Sequence, residues 1–164
     1  MSSPQTLLLD AIWQALEASS ALADCEFLRI DDESLPQDLV DPRKRLRMSI
    51  HVYPDGEDVQ AYRTSMLWEM RTSFLIVVLN RRDPANVRLN PRPLMDCVYE
   101  VWRALAKERD RRFGYDWVER IDIGPGVYGD PRKPNPERWD GDIDWAYTGT
   151  ISVVWRRSQA EMET

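Results

Sequence analysis

The chain has 164 residues, of which 43% are hydrophobic and 30% are charged, the size and balance of one globular domain with its own core. Its formal net charge of −6 is the opposite of what a phosphate-binding protein requires, and its single histidine, His51, excludes catalytic schemes with two imidazoles. No apolar run approaches the roughly 18 residues of a membrane helix, and residues 1–4 lack the features of a secretory signal, so we expect a cytosolic protein.

The spacing of the cysteines and the numbers of arginine and tryptophan residues indicate which kinds of site the chain can form. Cys25 and Cys97 lie far apart in no ligand-like spacing, so we expect two small apolar core residues and neither a disulfide framework nor a zinc site. Arginine supplies 19 of the 22 basic residues and seven tryptophans are present. Both residue types are enriched at protein interfaces, although a GC-rich genome would also favour arginine over lysine.

The first predicted elements are a helix and a short strand. Ser3 and Pro4 are typical of an N-cap followed by the first helical residue, and the helix is expected to end near residues 19–20. A short strand over residues 25–30 and a polar loop over residues 31–42 follow. Apolar residues repeat at helical spacing at Leu8, Ala11, Ile12, Ala15 and Leu16.

Two strands are predicted in the middle of the chain. Residues 47–53 alternate between apolar and more polar side chains, with His51 on the more polar face, and the turn residues 54–56 are expected to end this strand. Residues 68–80 are the longest strand candidate. Because Leu75, Val77 and Leu79 make its far end apolar on both faces, we expect that end to be central in a sheet or covered by a neighbour.

A basic segment and a second helix come next. Residues 80–93 contain four arginines and three prolines, which predicts a loop or arm without regular structure. The spacing of apolar residues from Leu94 to Leu105 predicts an amphipathic helix that ends around the charged run 107–112.

The last predicted elements are two strands that pair. Residues 117–123 alternate, and residues 142–156 do so with greater regularity. The joining segment, 124–141, contains four prolines and is too long for a tight hairpin. Long loops of this kind usually bind a partner or are disordered. Residues 158–164 are expected to form a frayed polar tail.

This order of elements predicts an α+β fold. We expect a mixed, mainly antiparallel sheet of four to five strands with two helices packed on one face, in a single domain over residues 1–157. The other face of the sheet is then either wet or buried against a partner. The tryptophan content favours a partner.

Residues 124–129, GPGVYG, match the G-x-G-x-x-G pattern of nucleotide-binding turns. That motif requires a helix to begin at its last glycine, and residues 130–134 contain two prolines that prevent one. We therefore interpret the glycines as turn residues and expect no dinucleotide or other cofactor.

An acidic row is the best catalytic candidate. Asp140, Asp142 and Asp144 alternate into a strand and could hold Mg²⁺ or Mn²⁺, but a solvated strand face is the favoured interpretation. The alternation of its strand places Glu119 on the same face as Trp117, Ile121 and Ile123, so it is not expected to complete a site. His51 is expected to be an ordinary polar-face residue. We predict no catalytic or metal-binding residue.

Basic and aromatic residues of the two predicted loops are the candidate contacts with other subunits or with a partner. Solvated loop charges are the alternative interpretation. The candidates are Arg81, Arg82, Arg88, Arg92, Tyr128, Arg132, Lys133, Arg138 and Trp139.

The order of elements, the size and the closing pattern GDIDWAYTGTISVVW over residues 141–155 together resemble the small tail terminator and tail completion proteins of long-tailed bacteriophages and phage-like particles. The resemblance covers nearly the whole chain and involves no catalytic residues. It implies a non-enzymatic virion protein, made in the host cytoplasm, that forms a ring, typically hexameric, on the finished tail tube and provides the surface on which the head docks.

The resemblance also implies partners: further copies of this chain, the tail tube protein, and a head–tail connector or head completion protein. An acidic chain suits a channel through which DNA passes without specific binding, because a cationic lining would hold the phosphates. Two other functions stay open. One is a small acidic binding protein of the immunity or antitoxin type, and the other is a metal-dependent nuclease or phosphatase that uses the acidic row.

Overall fold

The computed structural model describes residues 2–27, 29, 48–61, 67–81, 92–129, 143–158 and 160–161. These residues form the helices α1 (Pro4–Glu17) and α2 (Arg92–Arg111), each followed by a short 3₁₀ turn, at Ser20–Leu22 and Arg112–Gly114. The strands are β1 (Glu26–Phe27), β2 (Met48–Ala61), β3 (Leu67–Arg81), β4 (Val118–Gly129) and β5 (Ile143–Ser158).

The five strands form one sheet in the order β1-β2-β3-β5-β4. The β1 strand runs parallel to β2, and the other neighbours are antiparallel. The α+β class and the mixed, mainly antiparallel sheet are therefore confirmed. The apolar end of β3 also lies centrally in the sheet, as its residues predict, because β3 pairs with both β2 and β5.

A hydrophobic core contains the buried apolar residues of α1 and α2 together with Met70, Phe74, Ile76 and Val78 of β3. Side chains alternate along a strand, so these four residues define one face of the sheet, the core face. The odd-numbered residues of β3 alternate with them, and those with described side chains, among them Leu75, Val77 and Leu79, define the opposite face. That both helices pack on one face stays a prediction.

The two helices begin at residues that favour helix starts. The hydroxyl of Ser3 accepts a hydrogen bond from the Thr6 amide at 3.2 Å, and Pro4 is the first helical residue, which confirms the predicted cap. The second helix begins at Arg92. The last two residues of the predicted 80–93 loop are therefore helical, since a proline at position 93 fits the first turn of a helix.

The prediction that residues 54–56 end the second strand is wrong. The β2 strand continues to Ala61, and Asp55 is an extra residue between the Pro54–Phe74 and Gly56–Ser73 pairs. A β-bulge accommodates one such residue, and the long partner strand supplies hydrogen bonds on both sides of it. Turn-forming residues thus shift the register of β2 without reversing the chain.

The β4 strand differs from its prediction in the same way. It begins at Val118 and continues through Gly124, Pro125 and Gly126 to Gly129, so the first six residues of the predicted 124–141 loop belong to the sheet. One extra residue is absorbed between the Ile123–Ile151 and Gly126–Gly149 pairs. The GPGVYG glycines therefore lie in a strand, and the prediction that they are turn residues is wrong.

Candidate interaction surface

The structure describes only part of the predicted contact set. Arg92 is exposed in the first turn of α2, and Tyr128 is 42% exposed on β4. The ring of Tyr128 packs against Tyr147, with the ring centroids 5.0 Å apart. Arg81 ends β3, but its side chain is outside the description. The other predicted residues, Arg82, Arg88, Arg132, Lys133, Arg138 and Trp139, lie outside the described residues.

The opposite face of the sheet has an apolar half. Leu75, Val77 and Leu79 run along the central strand and are half-buried. The cross-strand register places Val127 of β4 in the same row as Val77, where it is 69% exposed. This row of aliphatic side chains, with Thr148, Thr150 and Ala146 of β5 between β3 and β4, is called the apolar half below.

The same face becomes polar and charged toward the other end of β3. The hydroxyls of Ser73 and Ser152 are 2.8 Å apart and mark the boundary. In the same cross-strand row, Asp122 of β4 accepts hydrogen bonds from Arg71 at 3.2 Å and from Arg120 at 3.0 Å, and both arginines lie one row farther along. The Asp122 carboxylate raises the pKa of Arg120, first through this hydrogen bond and then through its charge. The opposite face therefore joins an apolar area to a charged one.

His51 lies on this face, but it is buried. Its ring nitrogens are hydrogen-bonded to Ser49 at 3.4 Å and to the Tyr53 hydroxyl at 3.1 Å, and its ring stacks on Tyr53. Burial raises the pKa of Tyr53. The face assignment from the sequence is correct, whereas the expectation of a strand buried on one side only is wrong at Ser49 and His51.

The acidic row is described only at its last member. Asp140 and Asp142 lie outside the described residues, and the backbone of Asp144 belongs to β5 at a register shift between the Trp145–Asn80 and Ile143–Arg81 pairs. Within the described part of the chain, no three His, Cys, Asp or Glu residues come together as metal ligands. Farther along β5, Ser152 and Val154 are buried, so the face opposite the core is more covered than a solvated strand face would be.

Glu119 does not share a face with Trp117, Ile121 and Ile123, although the alternation predicts that it does. It is the extra residue of a bulge between the Val118–Trp155 and Arg120–Val154 pairs, so Val118 takes the buried position expected of Trp117. The carboxylate of Glu119 pairs with Arg156 at 2.6 Å. Trp117 is instead covered by the Arg157 guanidinium, 5.0 Å from its ring centroid.

The two cysteines are neighbours in space, which the sequence did not indicate. The sulfur atoms of Cys25 and Cys97 are 3.6 Å apart across 72 positions of the chain, and both are free thiols. Cys97 belongs to the buried side of α2, and Cys25 packs against the core from the segment before β1. Their expected role as apolar core residues is correct, but their contact depends on the tertiary fold.

The chain matches no protein-family model, and none of the curated proteins with which it was compared matches it. Neither α1 nor α2 has the length and apolar composition needed to span a membrane.

Proposed function

We propose that the protein is a tail terminator, a structural subunit without enzymatic activity that assembles into a ring, typically hexameric, on the tail tube and forms the surface on which the head docks. The observation that carries the proposal is the apolar half of the opposite face, on the central strands of the sheet. The resemblance in element order and in the residues 141–155 supports the same assignment.

A ring requires two different contact surfaces on every subunit, because each copy meets its neighbours through unlike sides. The apolar half supplies the first surface. The second is an apolar pair on α2, Met95 and Tyr99, which are 49% and 66% exposed. Residues four apart lie on one side of a helix, so this pair forms a continuous stripe. In the proposed ring, the apolar half of one copy packs on the Met95–Tyr99 stripe of the next.

The charged half of the opposite face fits the border of such a contact. Interfaces typically combine an apolar centre with a polar rim, and the side chains of Arg71 and Arg120 remain partly exposed despite their ion pairs with Asp122. Rim charges set the orientation of partners more than they add affinity. The net charge of −6 is also compatible with a channel that DNA passes without being held.

The proposal is tested with variants of each surface. Val77→Asp, and Val127→Asp as a more exposed second variant, place a charge in the apolar half; Tyr99→Asp places one on the α2 stripe. Val59→Asp is the control, because Val59 is also an exposed aliphatic residue, 46% accessible, near the far end of β2. Self-association is measured by size-exclusion chromatography with light scattering, at high concentration and with purified tail tube protein.

We expect the wild type and Val59→Asp to form closed oligomers or to bind the tube protein. The interface variants should need at least a tenfold higher protein concentration to do either. An equimolar mixture of Val77→Asp and Tyr99→Asp should give a one-to-one dimer and no ring. The Val77→Asp variant keeps the α2 stripe and the Tyr99→Asp variant keeps the apolar half, so the two can form only one contact with each other. A wild type that stays monomeric under all conditions and does not bind tube protein would contradict the proposed function. Full assembly by Val77→Asp and Val127→Asp would contradict the assignment of the surface.

A further inference from the structure

The two cysteines that meet at the Cys25–Cys97 contact differ in solvent exposure. Cys97 is 8% exposed, whereas Cys25 is half-buried in the connection between the 3₁₀ turn and β1. The amide of Cys25 donates a hydrogen bond to the Leu22 carbonyl at 3.0 Å, which holds the cysteine in this connection. A dissolved reagent can therefore reach the Cys25 sulfur more readily than that of Cys97.

The two thiols are also chemically unequal. The hydrogen bond with Cys97 lowers the pKa of the Cys25 thiol, although burial and the charge of Asp24 act in the other direction. The same hydrogen bond, followed by burial, raises the pKa of Cys97. Since the thiolate is the reactive form, Cys25 is the better nucleophile of the pair.

We propose that Cys25 and Cys97 form a modification site at which a low-molecular-weight disulfide oxidises the pair to an intramolecular disulfide bond. The sulfur atoms are 3.6 Å apart, so bond formation requires an approach of about 1.5 Å to the usual S–S length of about 2.05 Å. Closure therefore requires rotation of the Cys25 side chain, which lies in the connection before a strand of only two residues.

The reaction proceeds by two exchanges that balance in atoms and electrons. The Cys25 thiolate attacks one sulfur of the small disulfide, forms a mixed disulfide and displaces the first small thiolate. In the mixed disulfide, Cys25 no longer makes the thiol hydrogen bond that is the main cause of the raised pKa of Cys97. Cys97 then loses its proton and attacks the Cys25 sulfur, which closes the protein disulfide and displaces the second small thiolate. The two protons lost by the cysteines are taken up by the two released thiolates, so the protein loses two electrons and the reagent gains them.

Closure would link residues 72 positions apart and tie the β1 edge of the sheet to α2. Because a cross-link restricts the unfolded chain more strongly as its loop lengthens, the oxidised protein should melt at a temperature higher by on the order of 10 °C. Cytosolic conditions keep such a pair reduced, and oxidising surroundings close it. This site does not depend on the ring assembly proposed above.

The test treats the purified wild type with oxidised glutathione, traps remaining thiols by alkylation and measures the intact mass. We expect the mass of the wild type to fall by two hydrogen atoms with no glutathione retained, and dithiothreitol to reverse this oxidation. Cys97→Ser should stop at one glutathione on Cys25, whereas Cys25→Ser should react at least tenfold more slowly. The melting temperature of the wild type should rise on oxidation and that of the Cys97→Ser variant should not.

Two results would overturn the proposal. One is a wild type that accumulates the glutathione adduct without closing the disulfide. The other is a wild type whose thiols both remain alkylatable under conditions that fully oxidise free dithiothreitol. Neither result requires a variant to fold, and neither bears on self-association.

Discussion

A series of hydrogen bonds leads from the buried Trp155 on the core face of the sheet to an exposed contact with the N-terminal helix. The indole N–H of Trp155 donates to the Thr72 hydroxyl at 3.0 Å, and that hydroxyl donates to the Glu57 carboxylate at 3.0 Å. Gln5 of α1 donates to the same carboxylate at 2.8 Å. These hydrogen-bonded residues border an open cleft of about 450 Å³ between α1 and the β2–β3 pair. Thr72 is the one member that both donates and accepts.

Replacing Thr72 by valine is expected to lower the free energy of unfolding by about 1–3 kcal/mol. Valine has a similar shape but leaves the fully buried Trp155 indole without an acceptor. The control is Thr150→Val, at a half-buried position that pairs with Leu75 on the opposite face, where a change within about 0.5 kcal/mol is expected. Urea denaturation followed by tryptophan fluorescence measures both. Equal losses in the two variants would mean that the hydrogen bond contributes nothing.

Gly149 permits a close approach between α2 and the sheet. A Cβ atom at this position would lie 2.7 Å from both the Trp102 ring and the Tyr147 hydroxyl, which are hydrogen-bonded to each other at 2.8 Å. We therefore expect Gly149→Ala to destabilise the protein by about 1–3 kcal/mol through overpacking. At Gly56 no atom lies within 4 Å of such a Cβ, so Gly56→Ala is the matched control. Thermal melts that shift equally for both variants would contradict this packing argument.

At the scale of whole elements, the end of β5 leads into a capped turn. The Glu161 carboxylate accepts hydrogen bonds from the amide and the hydroxyl of Ser158, at 2.8 and 2.9 Å. The Glu161 amide in turn donates to the Ser158 hydroxyl at 3.3 Å. This reciprocal arrangement is a capping box. The hydrogen bonds from the Ser158 amide and hydroxyl lower the pKa of Glu161 below its ordinary value of 4.5.

The capping box predicts a pH dependence with a definite sign. Because the pKa of Glu161 is lower in the folded protein, its contribution to stability is present above about pH 4.5 and is lost as the pH falls through the folded pKa. NMR titration of the Glu161 side chain should give a midpoint below 4.5, and Ser158→Ala should move it upward. Ser20→Ala, outside any such box, should leave it unchanged. An unchanged midpoint in Ser158→Ala would rule out the capping interaction.

For the whole molecule, the negative net charge and the pairing of surface arginines with carboxylates both disfavour nucleic-acid binding. The net charge is −6, and the described ion pairs occupy several arginines with carboxylates, among them Arg71, Arg120 and Arg156. Counterion release can supply little affinity when the cations are already paired. Most of the two predicted basic loops, residues 82–91 and 130–141, lies outside the described residues. The expectation that the protein does not bind DNA therefore depends on the net charge of the whole chain.

We expect neither the monomer nor the proposed ring to retard duplex DNA at about 50 mM salt, where non-specific binding is strong. Electrophoretic mobility shift of a random-sequence duplex measures this, and a basic protein of similar size serves as the positive control. Retardation that disappears steeply as salt is raised to about 200 mM would identify phosphate contacts and contradict the expectation.

The elements that can be predicted from the amino-acid sequence are those whose patterns are local. The Ser3–Pro4 start of α1, the length of α2 and the central position of β3 follow from capping chemistry and from apolar periodicity, which act within a few residues. The class of the fold then follows from their order. These features were predicted with small errors at the ends.

The positions of the turn-forming residues and the contacts between distant side chains depend on the assembled sheet. Pro54–Gly56 and Gly124–Gly126 were predicted to end strands, but pairing with long neighbouring strands outweighs their local preference, and bulges absorb the extra residues. The Cys25–Cys97 contact and the burial of His51 likewise depend on packing between segments far apart in the chain. Local patterns carry no information on such distances, because the cross-strand register and the helix packing that set them form only when the whole sheet is assembled.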